Sequence, residues 1–188
     1  MNKLLMVLAW MAATVMVSGQ GTLDVRNKAY GVKGSVDALI FDVDGVTKLA
    51  GAAYLAQVYA GPAENLAPVG GPYPFRTGTG VGYYDWGTVV VHVNTVAPGA
   101  TASIQVVAWE AAAGSYADAS APGSGYKAGA STVFTAVLGN AGVPPALPVI
   151  MYGLTSFSLG LGLNAIPEPS SMALGLLGAI ILLRRRHK

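Results

Sequence analysis

The sequence contains no cysteine among its 188 residues, which excludes disulfides, thiolate metal ligands and cysteine nucleophiles. Charged residues make up only 11%, less than half of the share in an average soluble domain. Between residues 20 and 165 there is also no long segment with helical periodicity. A domain of this composition must be stabilised by its own apolar core, and about 145 residues are enough to form one.

The formal charge of +2 is unevenly distributed along the chain. Between Gln20 and Ile166 there are six basic and eight acidic residues, so this central part, the body, has a net charge of −2. The positive balance comes from Lys3 and from four basic residues after position 183. Because the body has no stripe of Lys and Arg to neutralise phosphates, the sequence predicts no nucleic-acid partner.

Residues 1–19 have the pattern of a secretory signal peptide. Lys3 provides a positive start, residues 4–17 form an apolar run, and Val17 and Gly19 place small residues at positions −3 and −1 before Gln20. The run is shorter than the ~20 residues that span a bilayer. We expect signal peptidase to cleave here and the protein to be exported. The alternatives are an uncleaved membrane anchor and a buried first helix.

The last 23 residues combine three features in a fixed order. Pro167, Glu168 and Pro169 form an extended, singly charged triplet, because proline cannot continue a helix or a ladder. The next fourteen residues, 170–183, carry no charge, and a cluster with three arginines follows. By the positive-inside rule this cluster stays cytoplasmic and stops transfer. The three stop-transfer residues are Arg184, Arg185 and Arg186.

This arrangement resembles the PEP-CTERM sorting signal of bacteria that make an extracellular polymeric matrix. The resemblance implies that an exosortase, a membrane protease-transpeptidase, recognises the triplet and removes the tail. It also implies a transient inner-membrane anchor and a final place at the cell surface or in the extracellular matrix. The uncharged helix would be about 21 Å long, short of the ~30 Å hydrocarbon core, which suits a temporary anchor. A plain C-terminal anchor is the alternative.

The body, residues 20–165, is predicted to be all-β. Short runs of β-forming residues alternate with Gly, Pro and Asn, and the strongest cover 22–26, 36–41, 54–59, 88–96, 101–109, 131–138 and 150–161. We therefore expect a single β-sandwich, jelly-roll or immunoglobulin-like, flanked by the signal-peptide helix and a short C-terminal transmembrane helix.

Three details of the body follow from its pattern. Residues 88–96 and 101–109 are expected to pair as a hairpin around Pro98 and Gly99. Within them, the side chains of Val89, Val91 and Val93 should point inward against those of Ile104, Val106 and Ala108, whereas those of His92, Asn94, Ser103 and Gln105 should face solvent. Finally, Ser115 is expected to cap one short helix over residues 115–120.

The segment FDVDGV, residues 41–46, resembles the first motif of the haloacid-dehalogenase-type phosphatases, in which two aspartates act as nucleophile and general acid. The resemblance would assign these roles to Asp42 and Asp44. The downstream sequence lacks the paired acids that would hold Mg²⁺ and the βαβ pattern of such enzymes. The same aspartates are a weak candidate for a Ca²⁺ loop, but Val46 and Ala53 occupy the next ligand positions. The favoured prediction is a strand that ends in a turn at Asp44 and Gly45.

The densest aromatic cluster contains Tyr83, Tyr84 and Trp86, near Tyr73 and Phe75. Stacked aromatic rings beside Asp85 would suit a sugar, although core packing is the simpler explanation. The glycines of residues 78–82 lack the Lys and helix of a phosphate-binding loop, which favours a turn or an edge strand. His92 is the one histidine of the body, and a single His makes a poor metal site.

These observations favour a protein with a structural or adhesive role in an exopolysaccharide layer. They predict no enzymatic activity and no cofactor. A carbohydrate-binding module of the same fold, with extracellular polysaccharide as its ligand, is the first alternative. A phosphatase, indicated by FDVDGV alone, is the second.

Overall fold

The structure is a computed structural model of the full chain, and it describes residues 21–63, 65–87, 89–140 and 147–161. The predicted signal peptide (residues 1–19) and the predicted sorting signal (residues 166–188), with Pro167, Glu168, Pro169 and the three arginines, lie outside the described residues. In the part that is described, no helix is long and apolar enough to cross a membrane.

The described chain is mostly β, as the sequence predicted. Its strands are β1 (Gly21–Asp24), β2 (Lys28–Gly31), β3 (Gly34–Asp37), β4 (Ile40–Phe41), β5 (Tyr54–Gly61), β6 (Ala67–Pro74), β7 (Val90–Val93), β8 (Thr101–Glu110), β9 (Lys127–Ala130), β10 (Phe134–Val137), β11 (Gly139–Asn140), β12 (Val149–Ile150), β13 (Phe157–Ser158) and β14 (Gly160–Leu161). The helical elements are two 3₁₀ turns, Gly78–Gly80 and Ala111–Ala113, and one α-helix, α1 (Tyr116–Ser120).

The largest sheet has six strands and is built around β8. Its order is β14-β9-β8-β5-β6, and β10 also pairs with the first half of β8. The outer strand β6 contains Pro68, Pro72 and Pro74. Proline belongs on edge strands because it cannot donate to a ladder, so this edge is protected against pairing with another chain.

A second sheet of four strands is centred on β1. Strand β7 pairs antiparallel with all of β1, whereas β11 and β12 each pair with one half of it. Two smaller sheets complete the fold: β2 pairs with β3 as a hairpin, and β4 pairs in parallel with β13.

Side chains from the two larger sheets meet in one hydrophobic core. Leu23, Val91 and Val93 from the four-stranded sheet belong to the same buried cluster as Val58 and Ile104 from the six-stranded sheet. On the other face of β8, Val107 and Trp109 form a second buried cluster with Ala119 of α1. Both faces of β8 are therefore covered, which explains its nearly continuous apolar sequence.

The predicted hairpin between residues 88–96 and 101–109 is wrong. Strand β7 pairs with β1, while β8 pairs with β5, β9 and β10. The inward residues Val91 and Val93 do reach the same core as Ile104, but from the opposite sheet. Alternation predicts the buried face of a strand, yet it does not determine which strand lies beside it.

The predicted exposures are confirmed in β7 and only partly in β8. His92 is exposed, as predicted, and Val89 is only half-buried. Ser103 was expected to face solvent, but it is buried, and Gln105 is half-buried. The reason is that this face of β8 is itself covered by other parts of the chain.

The predicted short helix is confirmed as α1. The Ser115 hydroxyl oxygen accepts a hydrogen bond from the Asp118 backbone N–H at 3.1 Å, which satisfies one of the free amides at the helix N-terminus.

Candidate functional site

The FDVDGV segment forms a strand followed by a tight turn, as predicted. Strand β4 ends at Phe41, and the Gly45 N–H donates to the Asp42 carbonyl oxygen at 3.0 Å. Gly45 has a φ of 70°, a backbone conformation that glycine adopts without steric cost. The turn returns the chain so that the Asp42 N–H donates to the Thr47 carbonyl oxygen at 2.7 Å.

The Asp44 carboxylate stabilises this turn from within. It accepts hydrogen bonds from the backbone N–H groups of Val46 and Thr47, at 2.9 and 2.8 Å, and from the Thr47 hydroxyl at 2.6 Å. These three bonds lower the pKa of Asp44. Such side-chain bonds to the backbone two and three residues on are typical of an Asp in a turn.

The Asp42 carboxylate belongs to a different group of side chains. Its Oδ2 atom lies 2.8 Å from Lys127 Nζ, and the Tyr54 hydroxyl lies 3.4 Å from the same oxygen. Lys127 Nζ also donates to the Tyr54 hydroxyl at 3.3 Å. The ion-paired side chains are partly buried, with 24% of Lys127 and 19% of Asp42 exposed.

The pKa values of this pair shift in the directions expected for a stable ion pair. Burial raises the pKa of Asp42, but hydrogen bonds from Lys127, Val43 and Tyr54 outweigh it, so the net shift is downward. The hydrogen bond to Asp42 raises the pKa of Lys127. Both groups are therefore charged across the neutral range, as an ion pair requires.

The two aspartates thus have separate structural partners and do not converge on one ligand. Within the described ranges, no group of three or more His, Asp or Glu side chains is placed to hold a metal ion. In this part of the chain, no third acidic side chain joins Asp42 and Asp44 to complete either a Ca²⁺ site or the Mg²⁺ site of a phosphatase.

Tyr84, one of the three predicted sugar-stacking residues, is part of the core. Its side chain is 0% exposed, its ring stacks on Tyr73 with centroids 6.0 Å apart, and the edge of Phe75 meets it at 6.3 Å. The Tyr84 hydroxyl donates to the Val25 carbonyl oxygen. A buried ring cannot stack on a sugar, so the assignment of Tyr84 to a binding platform is wrong.

Tyr83 and Trp86 lie at the surface, and each ring has a cation over it. The Arg76 guanidinium is 4.0 Å from the Trp86 ring centroid, and Lys28 Nζ is 4.8 Å from that of Tyr83. The Tyr83 hydroxyl donates to the Asp37 carboxylate. A sugar could stack on these ring faces only by displacing the cations.

The glycines of residues 78–82 form a 3₁₀ turn and not a phosphate loop. The turn covers Gly78–Gly80, and Gly82 has a φ of 85°. Glycine is favoured at position 82 because a side chain would be strained at this positive φ, and its Cβ atom would also lie 2.6 Å from Leu39 Cδ2. The favoured prediction of a turn is confirmed.

The group formed by Asp42, Tyr54 and Lys127 was not predicted from the sequence. Tyr54 is the first residue of β5 and Lys127 the first of β9, and 85 positions separate Lys127 from Asp42. The sequence offered one hint of this contact: few lysines of the body follow the FDVDGV segment, so its aspartates have few lysines with which to pair.

No protein-family model, curated protein or solved structure matches this chain. The two family resemblances therefore rest on the quoted residues alone.

Proposed function

We propose that this chain is an exported surface or extracellular-matrix protein that is sorted by an exosortase. Signal peptidase removes residues 1–19, the C-terminal apolar segment holds the protein at the inner membrane, and the exosortase then removes the tail. The body acts structurally or adhesively in an exopolysaccharide layer. The observation that carries this proposal is the ordered set of triplet, uncharged segment and arginine cluster in residues 167–186.

We also propose that the body is a single β-sandwich. Two observations support this architecture: the two larger sheets contribute to one core, and β8 lies at the centre of the larger one. A cysteine-free domain held by such a core folds without a disulfide, which suits a protein that passes unfolded through an export channel.

The properties of the described body fit a structural role better than catalysis. Asp42 and Asp44 are bound to protein partners, and Tyr84 is buried. For the carbohydrate-binding alternative, Tyr83 and Trp86 remain as candidate stacking residues. Both are only partly exposed, and each ring already has a cation over it.

The sorting function is tested by changing the triplet in a host that carries an exosortase. Replacing Pro167, Glu168 and Pro169 with alanine should leave export and folding intact and trap the uncut protein in the inner membrane. The matched control replaces Ser170 and Ser171 with alanine and should be processed like the parent. Cell fractionation and immunoblotting give the readout. Efficient tail removal in the triplet variant would reject the proposal.

A further inference from the structure

The described body ends in two very short strands held by different sheets. Residues 157–161, here called the exit segment, begin as β13 beside β4 and end as β14 beside β9. The Phe157 N–H donates to the Leu39 carbonyl oxygen at 3.3 Å, and the Leu159 N–H donates to that of Phe41 at 2.9 Å. Leu159 is 4% exposed and joins the main core. The exit segment therefore crosses from β4 to β9.

The exit segment passes unusually close to β9. A Cβ atom at Gly129 would lie 2.7 Å from the Ser158 carbonyl oxygen and 3.0 Å from Leu159 Cα. A side chain at position 129 would push the exit segment away, so glycine is required there. Each of the two strands has only two residues, which is too short to be stable alone in water.

One ion pair connects the two elements that hold the exit segment. Asp42 directly follows β4, and Lys127 is the first residue of β9, opposite Leu161. Their 2.8 Å contact joins the end of β4 to the start of β9. Tyr54 of β5 contacts both charged groups, and Glu110 of β8 accepts from the Lys127 backbone N–H at 3.0 Å. Through β9 the pair is tied to the six-stranded sheet.

We propose that the Asp42–Lys127 ion pair is a clasp that holds the exit segment in the body when the protein is retained by its C-terminal tail. This inference rests on the proposed function, because that function makes the C-terminal end the point of attachment. Leu161 lies six positions before Pro167, so the exit segment is the part of the described body that is nearest to the tail in sequence.

The clasp acts by keeping β4 and β9 together. If the two elements separate, β13 and β14 cannot both remain paired, because a single residue, Leu159, separates the two strands. The ion pair is suited to this task because its side chains are partly buried, and a partly buried charge pair is screened less by salt than a fully exposed one. The FDVDGV segment thus has a mechanical role in place of the catalytic one.

Hydrogen exchange measured by mass spectrometry on the full chain in detergent micelles tests the clasp. Asp42→Asn and Lys127→Gln should each accelerate exchange in residues 157–161 about fivefold, with no change in the central residues of β5 and β8. Asp44→Asn is the matched control, since it removes a charge from the same turn and leaves the direct contact between Asp42 and Lys127 in place. It should leave the exit segment unchanged.

Two further variants keep the test decisive if a single change disturbs folding. Lys127→Arg retains the charge and should exchange like the parent, and the double variant Asp42→Lys, Lys127→Asp should recover most of the protection. Unchanged exchange of the exit segment in both charge-removing variants would overturn the proposal. Equal acceleration throughout the body would overturn it as well.

The mechanical role is tested by pulling single molecules through the tail in an optical trap. With the second handle on a cysteine substituted for Ala121, which is exposed directly after α1, Asp42→Asn should lower the force of the first extension step, and Asp44→Asn should not. Equal forces in both would overturn the mechanical role. Neither measurement involves an exosortase, so a chain with alanines at positions 167–169 should give the same results, and failure of the sorting proposal can be distinguished from failure of the clasp.

Discussion

Removing the Tyr84 hydroxyl is the sharpest test of whether the aromatic cluster is structural. In Tyr84→Phe the ring keeps its contacts with Tyr73 and Phe75, and only the hydrogen bond to the Val25 carbonyl oxygen is lost. Tyr84 and Val25 are both 0% exposed. Burial raises the pKa of Tyr84 well above its usual value, so the hydroxyl stays protonated and remains a donor.

The expected cost follows from the loss of a buried partner. A buried polar group that loses its hydrogen bond costs about 1–3 kcal/mol, and we expect the free energy of unfolding to fall by that amount in Tyr84→Phe. Tyr83→Phe is the matched control. Its hydroxyl bonds to the Asp37 carboxylate at the surface, where a loss typically stays within about 0.5 kcal/mol.

Urea unfolding of the purified protein, followed by tryptophan fluorescence, measures both variants. Trp109 is 2% exposed and should report the loss of the core. A structural role for the Tyr84 hydroxyl is refuted if Tyr84→Phe has the same free energy of unfolding as the parent. It is also refuted if Tyr83→Phe lowers that free energy more than Tyr84→Phe does. An effect of Tyr84→Phe on polysaccharide binding without any change in stability would return that residue to a binding role.

Three other changes should act locally. Ser115→Ala removes the cap of α1 and should destabilise that helix by about 1 kcal/mol, measured as faster amide exchange in its first turn. Gly129→Ala places a methyl group 2.7 Å from the Ser158 carbonyl oxygen and should cost about 1–3 kcal/mol in urea unfolding, whereas Gly71→Ala, at an open position, should be nearly neutral. The pKa of the clasp aspartate is lowered in the fold, so its stabilising effect is present above the usual aspartate pKa of about 4 and is lost as the pH falls through the lowered value. Exchange in residues 157–161, corrected for its intrinsic pH dependence, should therefore be constant from about pH 5 to 8 and increase in acid.

The sequence predicted the β-rich character and several strands because alternating apolar residues are a local signal. It missed β2, β6 and β9, and the last two have sequences rich in Pro, Gly and Ala and therefore have low strand propensity. These segments are strands because neighbours pair with them: β6 beside β5, and β9 beside β8. Tertiary pairing overrode local preference.

The pairing of strands and the grouping of charges could not be read from the chain. The turn at residues 97–100 indicated a hairpin, but β7 pairs with β1, about 70 residues earlier in the chain. The contact between Asp42 and Lys127 was equally hidden, because it also joins residues that are far apart in sequence and forms only when two sheets pack together. The aromatic cluster was visible in the sequence, yet only the fold separated buried Tyr84 from the partly exposed Tyr83 and Trp86.

The intact mass of the protein released from the cell surface shows whether this chain is a sorted and processed surface protein. We expect a chain that begins at Gln20 and ends at or near the Pro167-Glu168-Pro169 triplet, apart from any group attached there. A surface protein whose mass still includes residues 170–188, with all three arginines, would contradict it.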